Sequence, residues 1–275
     1  MRHALPVVLA ALLVAGCQSN PFAPSPPSQP PIPVGSQLQP APQVQLQQDP
    51  VTSRQRAEIH TDLAAGYYER QQMNVALDEL ALAEKLDPTY PRIYNISGLV
   101  YTIMGELPRA EAQFKRALEL APNDPETRHN WGWYLCTNGR ERESIAEFEV
   151  AIRNSLYRTP EIALVNAGKC SAAIGDVPAA DQYFRRALQM RPNDPSAAYN
   201  LALLSFKGGR LPESRALMRI VLQQSSSPAP EALYLGMCIE RKLGDRQSEQ
   251  SYVAQLRNRY PDSAETRAIA SGTCE

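Results

Sequence analysis

Between Arg54 and Tyr260 the apolar residues fall at the spacing of a helix face and never settle into the alternation of a strand. The run is punctuated at regular intervals by short proline- and aspartate-bearing stretches: LDPTYP ends at Pro91, LAPNDP at Pro125 and MRPNDP at Pro195. Each follows a segment rich in small residues, DELALAEK, AQFKRALE or QYFRRALQ, and their final prolines lie 34 and 70 residues apart. The pattern predicts pairs of helices repeated along the chain at a period of 34 residues.

Thirty-four is the tetratricopeptide period, a helix-turn-helix unit that stacks on its neighbours. Three columns fix the register when units begin at Ala57, Pro91, Pro125, Glu161, Pro195 and Ala229. The eighth position holds Ala64, Gly98, Gly132, Gly168, Ala202 and Gly236, small residues where two helices cross closely. The twentieth holds Ala76, Ala110, Ser144, Ala180, Ser214 and Ser248, the matching small position on the second helix. The twenty-fourth holds Leu80, Phe114, Phe148, Phe184, Met218 and Tyr252, large knobs for a neighbouring helix. The expected fold is therefore all-α, a right-handed superhelix of about six tetratricopeptide units at 57–90, 91–124, 125–160, 161–194, 195–228 and 229–262, within a region spanning 51–262. The third unit carries two extra residues near NSLYRTP, and the fifth replaces the proline-aspartate turn with QQSSSPAP. The last unit reads as a polar cap, and residues 263–275 as a tail.

Ahead of the repeats the chain changes character twice. MRH is followed by an apolar run from Ala4 to Ala15, the length of a signal-peptide core and too short for a membrane span of about 20 residues. With Gly16 and Cys17 after it, LVAGCQSN resembles the lipobox of bacterial lipoproteins, which implies removal of residues 1–16 and acylation of Cys17. Three acyl chains make such an anchor effectively permanent, where one holds only reversibly. Within that resemblance Gln18, in place of an aspartate, implies sorting to the outer membrane, lipid-anchored and facing the periplasm. The segment that follows, 17–50, holds ten prolines and scarcely a charge. It reads as an extended tether reaching up to about 100 Å at roughly 3 Å per residue.

Charge and chemistry narrow the function. Lys and Arg (28) nearly balance Asp and Glu (29), so nothing electrostatic argues for a nucleic-acid partner. His60 and His129 are the only histidines after residue 16, and the chain contains no HExxH, CxxC, P-loop, GxSxG or glycine-rich dinucleotide turn. No enzyme, cofactor or metal is expected. Cys136, Cys170, Cys238 and Cys274 allow three full pairings in an oxidising compartment. Cys136 and Cys170 fall at positions twelve and ten of adjacent first helices, where a bond would clamp units three and four; if it forms, Cys238 and Cys274 remain to pin the tail to unit six.

A binding surface is then the natural expectation, on the groove that first helices line in this architecture. Asn130, Asn166 and Asn200 occupy position six of successive units and Asn95 position five of the unit before. An amide there suits the backbone of an extended peptide, and equally it suits a tie between neighbouring helices. Lys169 is the one basic residue placed for a peptide carboxylate. Tyr67, Tyr68, Tyr94, Tyr101, Trp131, Trp133, Tyr134 and Tyr199 share that wall. Of these, Trp131, Tyr67 and Tyr101 fall at packed positions, whereas Tyr68, Trp133 and Tyr134 are expected to be the more accessible.

A lipobox, a tether and six repeats together resemble the PilF or PilW lipoproteins of type IV pilus biogenesis, most closely in RHNWGWYLCTNGRERESIAEFEVAI (128–152) and YRTPEIALVNAGKCSAAIGD (157–176). The resemblance implies a pilotin, which carries the pilus secretin subunit to the outer membrane and supports its assembly, with other pilus assembly proteins as further partners. It also implies a secretin-binding surface in the early units, around Tyr67, Tyr68, Tyr94 and Asn95. The competing expectation is a periplasmic scaffold of another envelope system, such as cell division or peptidoglycan synthesis.

Overall fold

Proline and aspartate set the helix boundaries. In the computed structural model, which describes residues 51–272 and Cys274, five first helices begin on proline: α3 (Pro91–Ile103), α5 (Pro125–Thr137), α7 (Pro160–Ala173), α9 (Pro195–Lys207) and α11 (Pro230–Leu243). Proline suits that first turn because its missing N–H has no intrahelical partner there and its φ is already helical. Asp124 and Asp194 cap α5 and α9 by accepting from the backbone N–H groups of Thr127 and Ala197. The first helix, α1 (Ser53–Glu69), starts four residues ahead of the first repeat column, because Thr52 and Gln55 close a capping box.

Each first helix is followed by its partner: α2 (Met73–Leu86), α4 (Leu107–Leu120), α6 (Glu141–Arg153), α8 (Val177–Met190), α10 (Leu211–Gln223) and α12 (Arg246–Arg259). A short α13 (Ala264–Ala268) and a 3-10 turn follow. The described residues are thus all-helical, six antiparallel pairs of the tetratricopeptide type and an end piece. The leader, Cys17 and the proline-rich segment lie outside the described residues. Among the latter, no helix is long and apolar enough to cross a membrane.

The three sequence columns meet in space. A Cβ placed on Gly98 would sit 2.7 Å from the ring of Phe114, one on Gly132 2.9 Å from Phe148, and one on Gly168 2.5 Å from Phe184. The ring of the second helix therefore lies directly on the backbone of the first, and even a methyl group is excluded. Where the knob is Leu80 or Met218, the facing residue is Ala64 or Ala202, so the two columns vary together in size. Phe114, Phe148 and Phe184 are almost wholly buried, as are the twentieth-position Ala110, Ser144 and Ala180 beside them.

Successive first helices also touch each other, α1 with α3, then α3 with α5, α5 with α7, α7 with α9 and α9 with α11, while second helices contact chiefly their own partner and the next first helix. The first helices therefore occupy the inside of the curve, and their outward-turned columns form its inner face. Two disulfides join neighbouring parts of this frame: Cys136 to Cys170 between α5 and α7, with Cα atoms 6.0 Å apart, and Cys238 on α11 to Cys274 of the tail, with Cα atoms 5.5 Å apart.

The turn inside each pair needs a left-handed residue. Gly105, Gly139, Gly175, Gly209 and Gly244 supply it at φ between 73° and 81°, but the first unit places Gln71 there at φ 60°. A side chain in that region costs roughly 1–2 kcal/mol, so Gln71→Gly should stabilise the protein by about 1 kcal/mol after the added backbone entropy of glycine is subtracted. A raised midpoint in urea unfolding checks this. The ring-on-glycine contact makes a second prediction: Gly168→Ala should destabilise by about 1–3 kcal/mol through overpacking. Adding Phe184→Leu should recover much of that loss, since it recreates the Ala64–Leu80 pairing; a double-mutant cycle measures the coupling.

Candidate functional site

The inner face is built from the exposed columns of the first helices, and its polar residues are mostly committed to one another. Asn130 Nδ2 donates to Asn95 Oδ1 at 3.0 Å, tying α5 to α3. The amide of Asn166 lies 3.3 Å from His129 Nε2, tying α7 to α5. Asn200 Nδ2 donates to Ser196 O one turn back in its own helix. Of the two roles open to these asparagines in the sequence, the tie between helices is the one Asn95, Asn130 and Asn166 perform in this structure, while Asn200 folds back on its own backbone.

Several aromatic residues expected on the wall are core residues instead. Tyr134 is 3% exposed, with its ring stacked on Trp131 at 5.1 Å between centroids and its hydroxyl donating to Leu107 O at 2.9 Å. Phe114 completes that cluster at 5.7 and 5.8 Å. Tyr134 falls on the helix flank that meets α4, which is why a phenol expected to be accessible is buried. Tyr94 is 6% exposed and donates to Pro88 O at 2.9 Å, beside Glu84. Asn95 is 3% exposed and lines a small cavity shared with Tyr90, Arg92 and Glu126. Tyr67 and Tyr68 are half-buried against the first unit's core, and burial pushes the Tyr68 hydroxyl above its ordinary pKa. Trp133 is half-buried against the core cluster that includes Phe148, Ala167 and Cys170.

What the face presents to a partner is therefore an apolar strip with sparse charge. Tyr68, Leu99 and Trp133 are half-buried on it, and Ile103 and Ile162 stand 44% and 43% exposed. Lys169 and Lys207 are exposed, and neither has an ion-pair partner among the described residues. Asp62, on α1, is paired with Arg92. The remaining inner carboxylates of α1, Glu58 and Glu69, give the early end an acidic character opposite the two lysines of α7 and α9. Ile103 and Ile162, at positions thirteen and two of their units, were not singled out by sequence reasoning; exposed apolar residues on first helices are the signal that identifies them.

Two residues of the middle units carry a feature the sequence pattern missed. Tyr157, in the two-residue expansion between α6 and α7, is 8% exposed and places its hydroxyl 2.6 Å from His129 Nδ1. His129 also meets Phe148 edge-on at 5.5 Å. Burial lowers the His129 pKa to about 4 and raises that of Tyr157 to about 12, so the phenol donates to a neutral imidazole. The amide of Asn166, with a donor and an acceptor end, satisfies the other ring nitrogen. This pair reads as a structural latch. Among the described residues no cluster of three His, Cys, Asp or Glu is placed to hold a metal ion.

Comparison with known proteins agrees with the repeat reading. Tetratricopeptide repeat family profiles match residues 91–124, 129–195 and 172–230. The type IV pilus assembly protein PilF of Pseudomonas aeruginosa (strain PAO1) is 25% identical over 208 residues, 76% of this chain and 82% of that one. The crystal structure of PilW, described as a widely conserved type IV pilus biogenesis factor, superposes with a TM-score of 0.72 at 30% identity, covering 78% of this chain and 98% of that one. The structure of Pseudomonas aeruginosa PilF superposes at 0.75 with 23% identity, over 80% and 99%.

The latch makes stability depend on pH. The unfolded histidine titrates near 6.5 and the folded one near 4, so between these values only the unfolded chain binds the proton. Stability is then fully present above about pH 7 and falls as the pH drops towards 4, by on the order of 2 kcal/mol between pH 7 and 5. Thermal melts of the wild type and His129→Gln should show this slope in the first and a flatter profile in the second.

Proposed function

The chain belongs to the PilF/PilW family of tetratricopeptide-repeat proteins of type IV pilus biogenesis, and from that premise we propose that it is a non-enzymatic pilotin. It binds the unassembled subunit of the pilus secretin and brings it to the outer membrane for assembly into a multimer. The observation that carries this reading is the extent of the likeness: the match takes in nearly the whole PilW array, 98% of its chain, rather than one generic repeat. The lipobox at LVAGCQSN supports it from the other end, since Cys17 would supply the outer-membrane lipid anchor.

The mechanism is physical. An acylated Cys17 and a proline-rich tether confine the repeat array to a shell near one membrane, and a secretin subunit held by the array shares that confinement. Its effective concentration for self-assembly rises without any bond being made or broken. The inner face suits the task because its apolar strip, from Tyr68 and Leu99 to Trp133 and Ile162, gives contact area, while the asparagine ties keep it from deforming. The early units are the proposed contact region, through the accessible edges of Tyr67 and Tyr68 and the neighbouring Leu99 and Ile103. Tyr94 and Asn95 act there by shaping α3 rather than by touching the partner.

Membrane fractionation with a non-reducing gel for the secretin tests this, comparing wild type, a deletion and Cys17→Ala. The deletion should lose heat-resistant secretin multimers and pili, and Cys17→Ala should leave the multimers scarce or in the inner membrane. Normal multimers in the deletion strain would overturn the pilotin reading and favour a scaffold of another envelope system.

A further inference from the structure

At each junction between units a loop leads from a second helix into the next first helix, and the fifth residue of the preceding first helix can be followed against it. At the junction of units two and three that residue is Asn95, which faces a space of only about 200 Å³ with a mixed polar and apolar lining, together with Ala121 and Asp124. At the junction of units three and four it is His129, and the space beside it is filled by the ring of Tyr157. At the junction of units five and six it is Tyr199, and the loop beyond Gln224, Ser225 to Ala229, has no aromatic residue to enter the space.

The space at this last junction stays open as a largely apolar cavity of about 500 Å³, walled by Pro195, Tyr199, Val221, Pro228 and Ala232, with Glu231 also lining it. The loop is held from its far side: Tyr260 Oη donates to Pro228 O at 2.9 Å and Arg259 Nη1 to Ser226 O at 3.1 Å. It cannot therefore simply fold inwards to close the gap. Two carboxylates lie near: burial first, and then the charges of Glu231 and Glu265, push the Tyr199 hydroxyl above its ordinary pKa. Neither carboxylate has an ion-pair partner among the described residues.

We propose that this cavity receives one aromatic side chain, of tyrosine size, from an extended segment of a protein partner, with a basic residue beside it in that segment facing Glu231 and Glu265. The protein carries its own template for the fit, since Tyr157 occupies the corresponding space two junctions earlier. Aromatic anchors in desolvated pockets dominate interface energies, and the unpaired carboxylates select the basic neighbour. The site lies in the last two units, away from the early contact region, and does not depend on which protein the inner face serves.

The test uses the chain from residue 18 onwards, isotope-labelled, and a blocked pentapeptide with a central tyrosine flanked by lysines. Amide shifts should saturate and centre on Ser196, Tyr199, Val221 and Ala232. Replacing the peptide tyrosine by alanine should weaken binding at least tenfold, and replacing its lysines by glutamates should weaken it several-fold. Ser227 lines the cavity and stands nine residues after Met218, as Tyr157 stands nine after Phe148, so Ser227→Tyr, which gives up the Ser227 Oγ contact with Tyr260 Oη at 3.1 Å, should turn its ring into the cavity and abolish the peptide shifts. If that variant does not fold, Tyr199→Ala should cost at least tenfold in affinity. Absent shifts, shifts centred elsewhere, or a folded Ser227→Tyr protein that binds like wild type would overturn the proposal.

Discussion

The contact on which the architecture rests is an aromatic ring laid flat against a glycine. At Gly98, Gly132 and Gly168 the approach of Phe114, Phe148 and Phe184 leaves no room for a Cβ, so the separation of two helices is set by ring thickness rather than by side-chain interdigitation. Close packing of this kind transmits small changes in volume, because interiors have little free space to absorb them. The paired variation with Ala64–Leu80 and Ala202–Met218 shows that the constraint is on the sum of the two sizes. Once each hairpin has a fixed width, the stack inherits its curvature, and the inner face follows from it.

That face is stiffest in the middle. Towards the N-terminal ends of α5 and α7, His129, Tyr157 and Asn166 join the two helices, and towards their C-terminal ends the Cys136–Cys170 bond joins them again. The two-residue expansion of the third unit lengthens the very loop that crosses this junction. It would loosen the stack had it not also supplied Tyr157, whose buried ring replaces the packing that a shorter proline-aspartate turn gives elsewhere. The expansion and the latch are thus one feature.

The fold was legible because its determinants are columns of size. Small residues at positions eight and twenty and a large one at twenty-four recur across six units, and proline and aspartate mark where each first helix starts. The candidate surface was less legible, because radial direction within a helix changes by 100° per residue and a one-residue difference moves a ring from wall to core. Tyr134 and Trp133 are adjacent, yet the first is fixed under α4 by Trp131 and Phe114 and the second remains partly open. Asn95 and Asn130 sit in neighbouring columns and were legible as amides on the inner face, but that they satisfy each other depends on the offset between α3 and α5, which no column records. Tyr157 escaped attention for a different reason: it lies in an insertion, where the repeat register that makes other residues readable is suspended.

The junctions, then, are where this array departs from repetition, and the departures follow one physical rule. A buried gap between units must be filled by the chain, hydrated by polar walls or left for something else. Asn95, Arg92 and Glu126 line the small mixed gap of the second junction, Tyr157 fills the space beside His129 at the third, and the serine-rich loop after α10 leaves the last one open against Tyr199 and two prolines. An open apolar wall forfeits the contacts a filled one would have, so it is a cost that stability alone does not favour. Its retention beside a loop anchored by Tyr260 and Arg259 argues for use by a partner rather than for incomplete packing.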